Sequence, residues 1–136
     1  MSVATNRARP SDPVRMIMSA PVATVDPGDT LLEVAGELLA DEVGVVLVSS
    51  GRAPVGLLSE RDLVTVAATG DDLAVVQAGE AMTADLTWAT PGTSIREVGL
   101  LMIEAGVRHV PIGDGRVAAG VVSVRDVLAV LLSASE

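Results

Sequence analysis

The sequence predicts a mixed α/β (α+β) protein built from two tandem β-α-β-β-α units packed about a pseudo-twofold axis. Three observations carry that prediction. The chain repeats itself at an offset of 64 residues, and both copies show the same order of apolar periods. In addition, 136 residues with 49% hydrophobic content fill one shared core, whereas a unit of about 60 residues is marginal alone.

The repeat is explicit in the residues. Met18 matches Met82, Pro27-Gly28 matches Pro91-Gly92, and Glu33-Val34 matches Glu97-Val98. Gly51-Arg52 matches Gly115-Arg116, and the block Gly56-Leu-Leu-Ser-Glu-Arg-Asp62 matches Gly120-Val-Val-Ser-Val-Arg-Asp126. One register held without a gap from Met18 to Asp62 marks a tandem duplication.

Each copy opens with a short β run, Val22 to Val25 and Leu86 to Ala89, followed by a Pro-Gly turn. A helix comes next, announced by the capping-box patterns Thr30-Leu-Leu-Glu33 and Ser94-Ile-Arg-Glu97. Apolar residues at Leu31, Val34, Ala35 and Leu38, and at Ile95, Val98 and Met102, keep helical spacing. Gly44 and Gly106 are the expected stops. Two strands follow in each copy: Val45 to Val48 with Val55 to Leu58, and Val107 to Ile112 with Val117 to Val122. A last helix begins after Ser59 and after Ser123. Short helical leads are expected at Val14 to Met18 and Val75 to Met82. The predicted organisation is a flexible N-terminal tail over 1–12, a first motif over 13–68, a linker over 69–74 and a second motif over 75–136.

Composition limits the chemistry. Aromatic residues amount to 1%, a single tryptophan, so the core must be Val, Leu, Ala, Ile and Met. Met16, Met18, Met82 and Met102 are read as core filler. With no cysteine there is no disulfide, thiolate metal site or cysteine nucleophile. A net charge of −9 argues against nucleic acid and anionic membranes as partners. All basic residues are arginine, which suits phosphate geometrically but also fits a simple usage bias. The first ten residues lack the apolar core of a secretory signal. The apolar run Val127 to Leu132 is far short of the roughly 18–20 residues of a membrane span. A soluble, cytoplasmic protein is expected. The final helix is apolar around too much of its girth for one packed stripe, which implies a homodimer.

The run Gly106-Val-Arg-His-Val-Pro-Ile112, followed by Gly120-Val-Val-Ser-Val-Arg-Asp126, resembles the signature of the CBS (cystathionine-β-synthase-type) domain. Met82-Thr83 and Pro91-Gly-Thr-Ser94 sit where that family has similar residues, and the resemblance spans about 13–134. It implies a paired, or Bateman, module whose two clefts commonly hold AMP, ADP, ATP or S-adenosylmethionine. Such pairs usually regulate another protein; with nothing attached, this chain reads as a free-standing regulator of an unidentified partner.

Candidate ligand residues follow. Ser59 with Asp62, and Ser123 with Asp126, stand where a strand gives way to a helix, a place that favours anions. The resemblance implies contacts to phosphate and ribose there; equally, each pair reads as an N-cap that needs no ligand. Gly56 and Gly120 permit a close approach, or merely serve strand geometry. Arg108 and His109, followed by Pro111, are placed by the resemblance to meet phosphates; an exposed arginine and a structural histidine are the plainer alternative. At the matching place the first copy has Gly44-Val45-Val46-Leu47, with no basic pair and no proline. A single site would therefore be built around the second copy. Thr24-Val25 and Trp88-Ala89 fall where the family lines its adenine pocket, with Trp88 either stacking on a base or serving as a hydrophobic plug or dimer contact.

Neither catalytic residues, a metal site nor a cofactor are expected, apart from a regulatory adenine nucleotide or S-adenosylmethionine. Cysteine, tyrosine and lysine are missing, His109 is the one histidine, and there is no Walker-type or Rossmann fingerprint. Two functions remain open: an adenosine-ligand sensor, or a protein-interaction module with empty or vestigial clefts.

Overall fold

The computed structural model describes residues 8–134. The chain forms two compact units, Val22–Leu86 and a second that joins the segment ending at Pro21 to the segment starting at Thr87. Each unit combines the body of one sequence copy with the lead segment of the other.

In the unit Val22–Leu86, strand β1 (Thr24–Val25) runs parallel to β2 (Val45–Val48), which pairs antiparallel with β3 (Gly56–Ser59). Helix α1 (Leu31–Asp41) buries Leu31, Val34 and Leu38; helix α2 (Glu60–Ala68) buries Leu63. They pack with Val46, Val48 and Leu58 into an aliphatic core, to which the incoming lead adds Leu73, Val76 and Ala78, the last in the short helix α3 (Ala78–Ala81). The predicted capping box at α1 is complete, with Thr30 and Glu33 exchanging hydrogen bonds. Helix α1 ends two residues before the predicted glycine stop. The left-handed residue is Glu42 (φ 53°), and Gly44 already leads into β2.

The other unit repeats this plan. Helix α4 (Ile95–Ala105) ends on Gly106 in the left-handed conformation, as expected, and strands β4 (His109–Gly113) and β5 (Ala118–Ser123) pair antiparallel. Helix α5 (Val124–Ala134) packs on α4, with Val127 against Gly99. The core consists of Ile95, Val98, Met102, Val110, Ile112, Val122, Val127 and Val130, joined by Val14 and Ala8 from the lead. Ser94 accepts from the Glu97 N–H.

The expected strand Leu86 to Ala89 shrinks to one bridge, Ala89 to Ile112. The cause is Pro111. Its counterpart Leu47 donates its N–H to the Ala23 carbonyl, and proline has no N–H to give.

The two leads do matching work. Ser19 exchanges two backbone hydrogen bonds with Val121 of β5 (2.8 and 3.0 Å), and Thr83 exchanges two with Leu57 of β3 (3.0 and 2.9 Å). Each lead thus covers a strand edge that would otherwise carry unpaired amides. The leads also cap helices. Carbonyls of Leu73 and Val76 accept from the first two N–H groups of α1, and those of Pro10 and Asp12 from the first two of α4. Part of the expected tail and linker is ordered here. Residues 8–12 are held in place, with Ala8 buried, and Leu73 packs on the core; residues 1–7 lie outside the described part. The leads are less helical than expected, with a single 3₁₀ turn at Val14–Met16 and the short α3. Met16, predicted as core filler, is exposed.

Candidate functional site

Both Ser-x-x-Asp blocks form the same local structure. At the β3–α2 junction the Ser59 N–H donates to Asp62 Oδ2 (2.8 Å), and the Asp62 N–H to Ser59 Oγ (3.3 Å). Ser59 Oγ also donates to Asp62 Oδ2 (3.0 Å). At the β5–α5 junction the Ser123 N–H donates to Asp126 Oδ2 (3.1 Å), and the Asp126 N–H to Ser123 Oγ (3.2 Å). All four side chains are half-buried. The capping role is therefore present at both junctions. It leaves each serine and aspartate at the surface, at the positive end of a helix.

The hairpin register brings several other candidates to the β5–α5 junction. His109 lies opposite Ser123 and is half-buried, and Arg108 is exposed one residue earlier. The Arg108 carbonyl accepts from the Val124 N–H (2.8 Å), which fixes the start of β4 to the start of α5. Pro111 is buried mid-strand, opposite Val121.

Trp88 and Ala89 sit toward the other end of this hairpin. Ala89 is beside Ile112, its N–H donating to Pro111 and its carbonyl accepting from Gly113 (3.2 and 2.8 Å). That is three residues along the strand from His109, about 10 Å at roughly 3.3 Å per residue. Trp88 is half-buried, and its ring edge lies 3.1 Å from where a Cβ on Gly113 would stand. In the other unit Thr24 is exposed and Val25 buried in β1, beside Leu47 and Val48, while Ser59 lies opposite Val45.

The two glycines are occupied by methionine. A Cβ on Gly56 would run into the Met82 side chain, and one on Gly120 would come within 2.6 Å of Met18 Sδ and 2.9 Å of the Ser19 carbonyl. What approaches closely here is the lead segment. Sequence reasoning missed this edge, although the 64-residue register that aligns Met18-Ser19 with Met82-Thr83 contained the signal. It also passed over Glu60, whose Oε1 lies 3.0 Å from the Cβ position of Gly44.

Among the described residues, no group of three or more histidine, aspartate or glutamate side chains is arranged to hold a metal ion, and no helix is long and apolar enough to cross a membrane.

Known proteins resemble this chain in sequence and fold. The family model for the CBS domain matches the chain twice, over residues 14–69 and 78–133. The CBS domain-containing protein YhcV of Bacillus subtilis is 30% identical over 114 residues, covering 83% of this chain and 81% of YhcV. The crystal structure of the CBS-domain protein ATU1752 from Agrobacterium tumefaciens is 28% identical with a TM-score of 0.77, over 89% of this chain and 94% of that one. The CBS domain protein PAE2072 from Pyrobaculum aerophilum, solved in complex with AMP, is 25% identical with a TM-score of 0.77, over 90% of this chain and 98% of that one. Taken with the duplicated strand-to-helix junctions, these matches place the chain in the CBS domain family, as a tandem pair.

Proposed function

We propose that this CBS pair is a cytoplasmic regulatory protein that binds an adenosine-containing ligand, AMP, ADP, ATP or S-adenosylmethionine, and catalyses no reaction. The observation that carries the reading is the β5–α5 junction. A half-buried Ser123–Asp126 pair stands at a helix N-terminus, with His109 opposite Ser123 at the start of the adjoining strand and Arg108 just before it. Serine and helix amides suit phosphate oxygens, arginine supplies the balancing charge, and the aspartate can accept from ribose hydroxyls. Trp88 and Ala89, about 10 Å along the strand, are at a distance suited to a base. The AMP complex of PAE2072 supports the ligand class. The mechanism is a population shift: the ligand favours one arrangement of the chain, and a regulated protein responds to it. Exposed Leu100, Ile103 and Leu128 on α4 and α5 support a homodimer.

One observation favours the alternative of a protein-interaction module with vestigial sites. At β3–α2 the Ser59 hydroxyl is already spent on Asp62, and no arginine stands on the neighbouring strand position.

Thermal melts with each ligand separate the two. A ligand at 100 times its Kd adds about 2.7 kcal/mol, which raises Tm by roughly 5–12 °C. Asp126→Ala should abolish the shift. Asp62→Ala breaks the same kind of cap and should leave it intact. No shift with any adenosine compound overturns the sensor reading in favour of the interaction module.

A further inference from the structure

Gly44 and Glu60 stand exactly one repeat length before Arg108 and Val124, and the two pairs share a backbone frame. The Glu60 N–H donates to the Gly44 carbonyl (2.9 Å), and the Val124 N–H to the Arg108 carbonyl (2.8 Å). On that common frame the side chains are inverted. Where the β5–α5 junction carries an exposed guanidinium and a valine, the β3–α2 junction carries no side chain and an exposed glutamate. The Glu60 carboxylate reaches over Gly44, its Oε1 3.0 Å from where the missing Cβ would start. A side chain added at Gly44 would therefore start in close contact with this carboxylate.

The two junctions also differ in formal charge. At β3–α2, Glu60 and Asp62 outweigh Arg61, for a formal charge of −1. At β5–α5, Arg108 and Arg125 outweigh Asp126, for +1. Glu60 is also the first residue of α2, so its carboxylate already sits at the positive helix end that would otherwise attract a phosphate. A phosphate arriving there meets a net like charge and finds no counterpart of Arg108.

We propose that Gly44 and Glu60 are the specificity-determining pair of this protein: they bar phosphate-bearing ligands from the β3–α2 junction and restrict the chain to one nucleotide, at β5–α5. This rests on the nucleotide-binding reading above.

Calorimetric titration of the full chain with AMP tests it. The wild type should bind one AMP per chain, and the double variant Gly44→Arg/Glu60→Val should bind two, the valine making room for the new Cβ. Val124→Glu should weaken AMP binding at least tenfold relative to Val124→Gln, which has the same size and no charge; this pair decides the matter by itself if the double variant does not fold. Two AMP in the wild type, one in a folded double variant, or equal affinity of Val124→Glu and Val124→Gln overturns the proposal and leaves the nucleotide reading intact. A wild type and double variant that both bind no AMP overturn the two together. A wild type that binds none and a double variant that binds one overturn the proposal as stated, since no nucleotide is then held at β5–α5.

Discussion

Met18 lies across the backbone of Gly120, its sulfur 2.6 Å from where a Cβ on that glycine would be. The contact belongs to the lead that closes the sheet through Ser19, so a larger residue at 120 pushes against the whole edge. Gly120→Ala should therefore destabilise the protein by about 1–3 kcal/mol, as overpacking does. Adding Met18→Ala should recover part of that loss, because the two residues share one contact. Urea denaturation of the two single variants and the double variant checks this, and additive losses would contradict it.

Glu42 ends α1 in the left-handed conformation (φ 53°), where Gly106 ends α4 at φ 68°. A side chain at such a position costs about 1 kcal/mol relative to glycine. Two acidic residues, Asp41 and Glu42, also crowd the negative end of that helix. Glu42→Gly should raise the unfolding free energy by about 1 kcal/mol, read as a higher denaturation midpoint. Gly106→Glu should lower it by a similar amount.

Pro111 interrupts the strand pairing that Leu47 sustains in the other unit. Pro111→Leu should restore an N–H directed at the Thr87 carbonyl, as the Leu47 N–H is directed at that of Ala23 (3.0 Å). The new amide should exchange slowly with solvent deuterium. Net stability should change by less than about 1 kcal/mol, since a hydrogen bond worth roughly 0.5–1.5 kcal/mol is offset by greater freedom of the unfolded chain. Fast exchange at position 111 would count against this account of the shortened strand.

Acid should loosen the β4–β5 turn. Asp114 accepts from the Val117 and Arg116 N–H groups (2.8 and 2.9 Å), which hold its carboxyl below the ordinary value. In the unfolded chain the carboxyl takes up its proton first as pH falls. The turn's contribution is therefore present above the ordinary aspartate range and is lost as pH drops through the lower folded value. Glu37 works oppositely: hydrogen bonding and repulsion from Asp41 raise its carboxyl above the ordinary value. Its favourable contribution exists below the ordinary glutamate range and is lost as pH rises through the higher folded value. Asp114→Asn should flatten the acid limb of the stability–pH curve, and Glu37→Gln should raise stability at neutral pH.

Much of this was legible in the residues because it is local. The 64-residue register, the Thr30–Glu33 cap and the alternation from β2 through β5 depend on neighbours in the chain, and those elements match to within a residue or two. Helix α1 ends early because the same register puts Glu42, not Gly44, opposite Gly106; a glycine nearby looked like the better stop. The strand before Ala89 was overestimated because a proline on its partner strand removed the donor. The leads are the least legible part. Residues 8–12 have the composition of a tail, and nothing nearby in sequence announces that Asp12 will cap a helix beginning at Ile95. At the candidate site the Ser–Asp pairs and Arg108–His109 were visible as motifs, and the register of β4 with β5 brings them together. Glu60 escaped notice because its effect depends on the empty space at Gly44.

Exchange of the leads also sets an order of assembly on the ribosome. The unit Val22–Leu86 is one continuous stretch and can close as soon as Thr83 has emerged to pair with Leu57. Ser19, made far earlier, must wait for Val121. At about 5–20 residues per second, the earliest of these segments stays uncommitted for several seconds and is the last to be fastened.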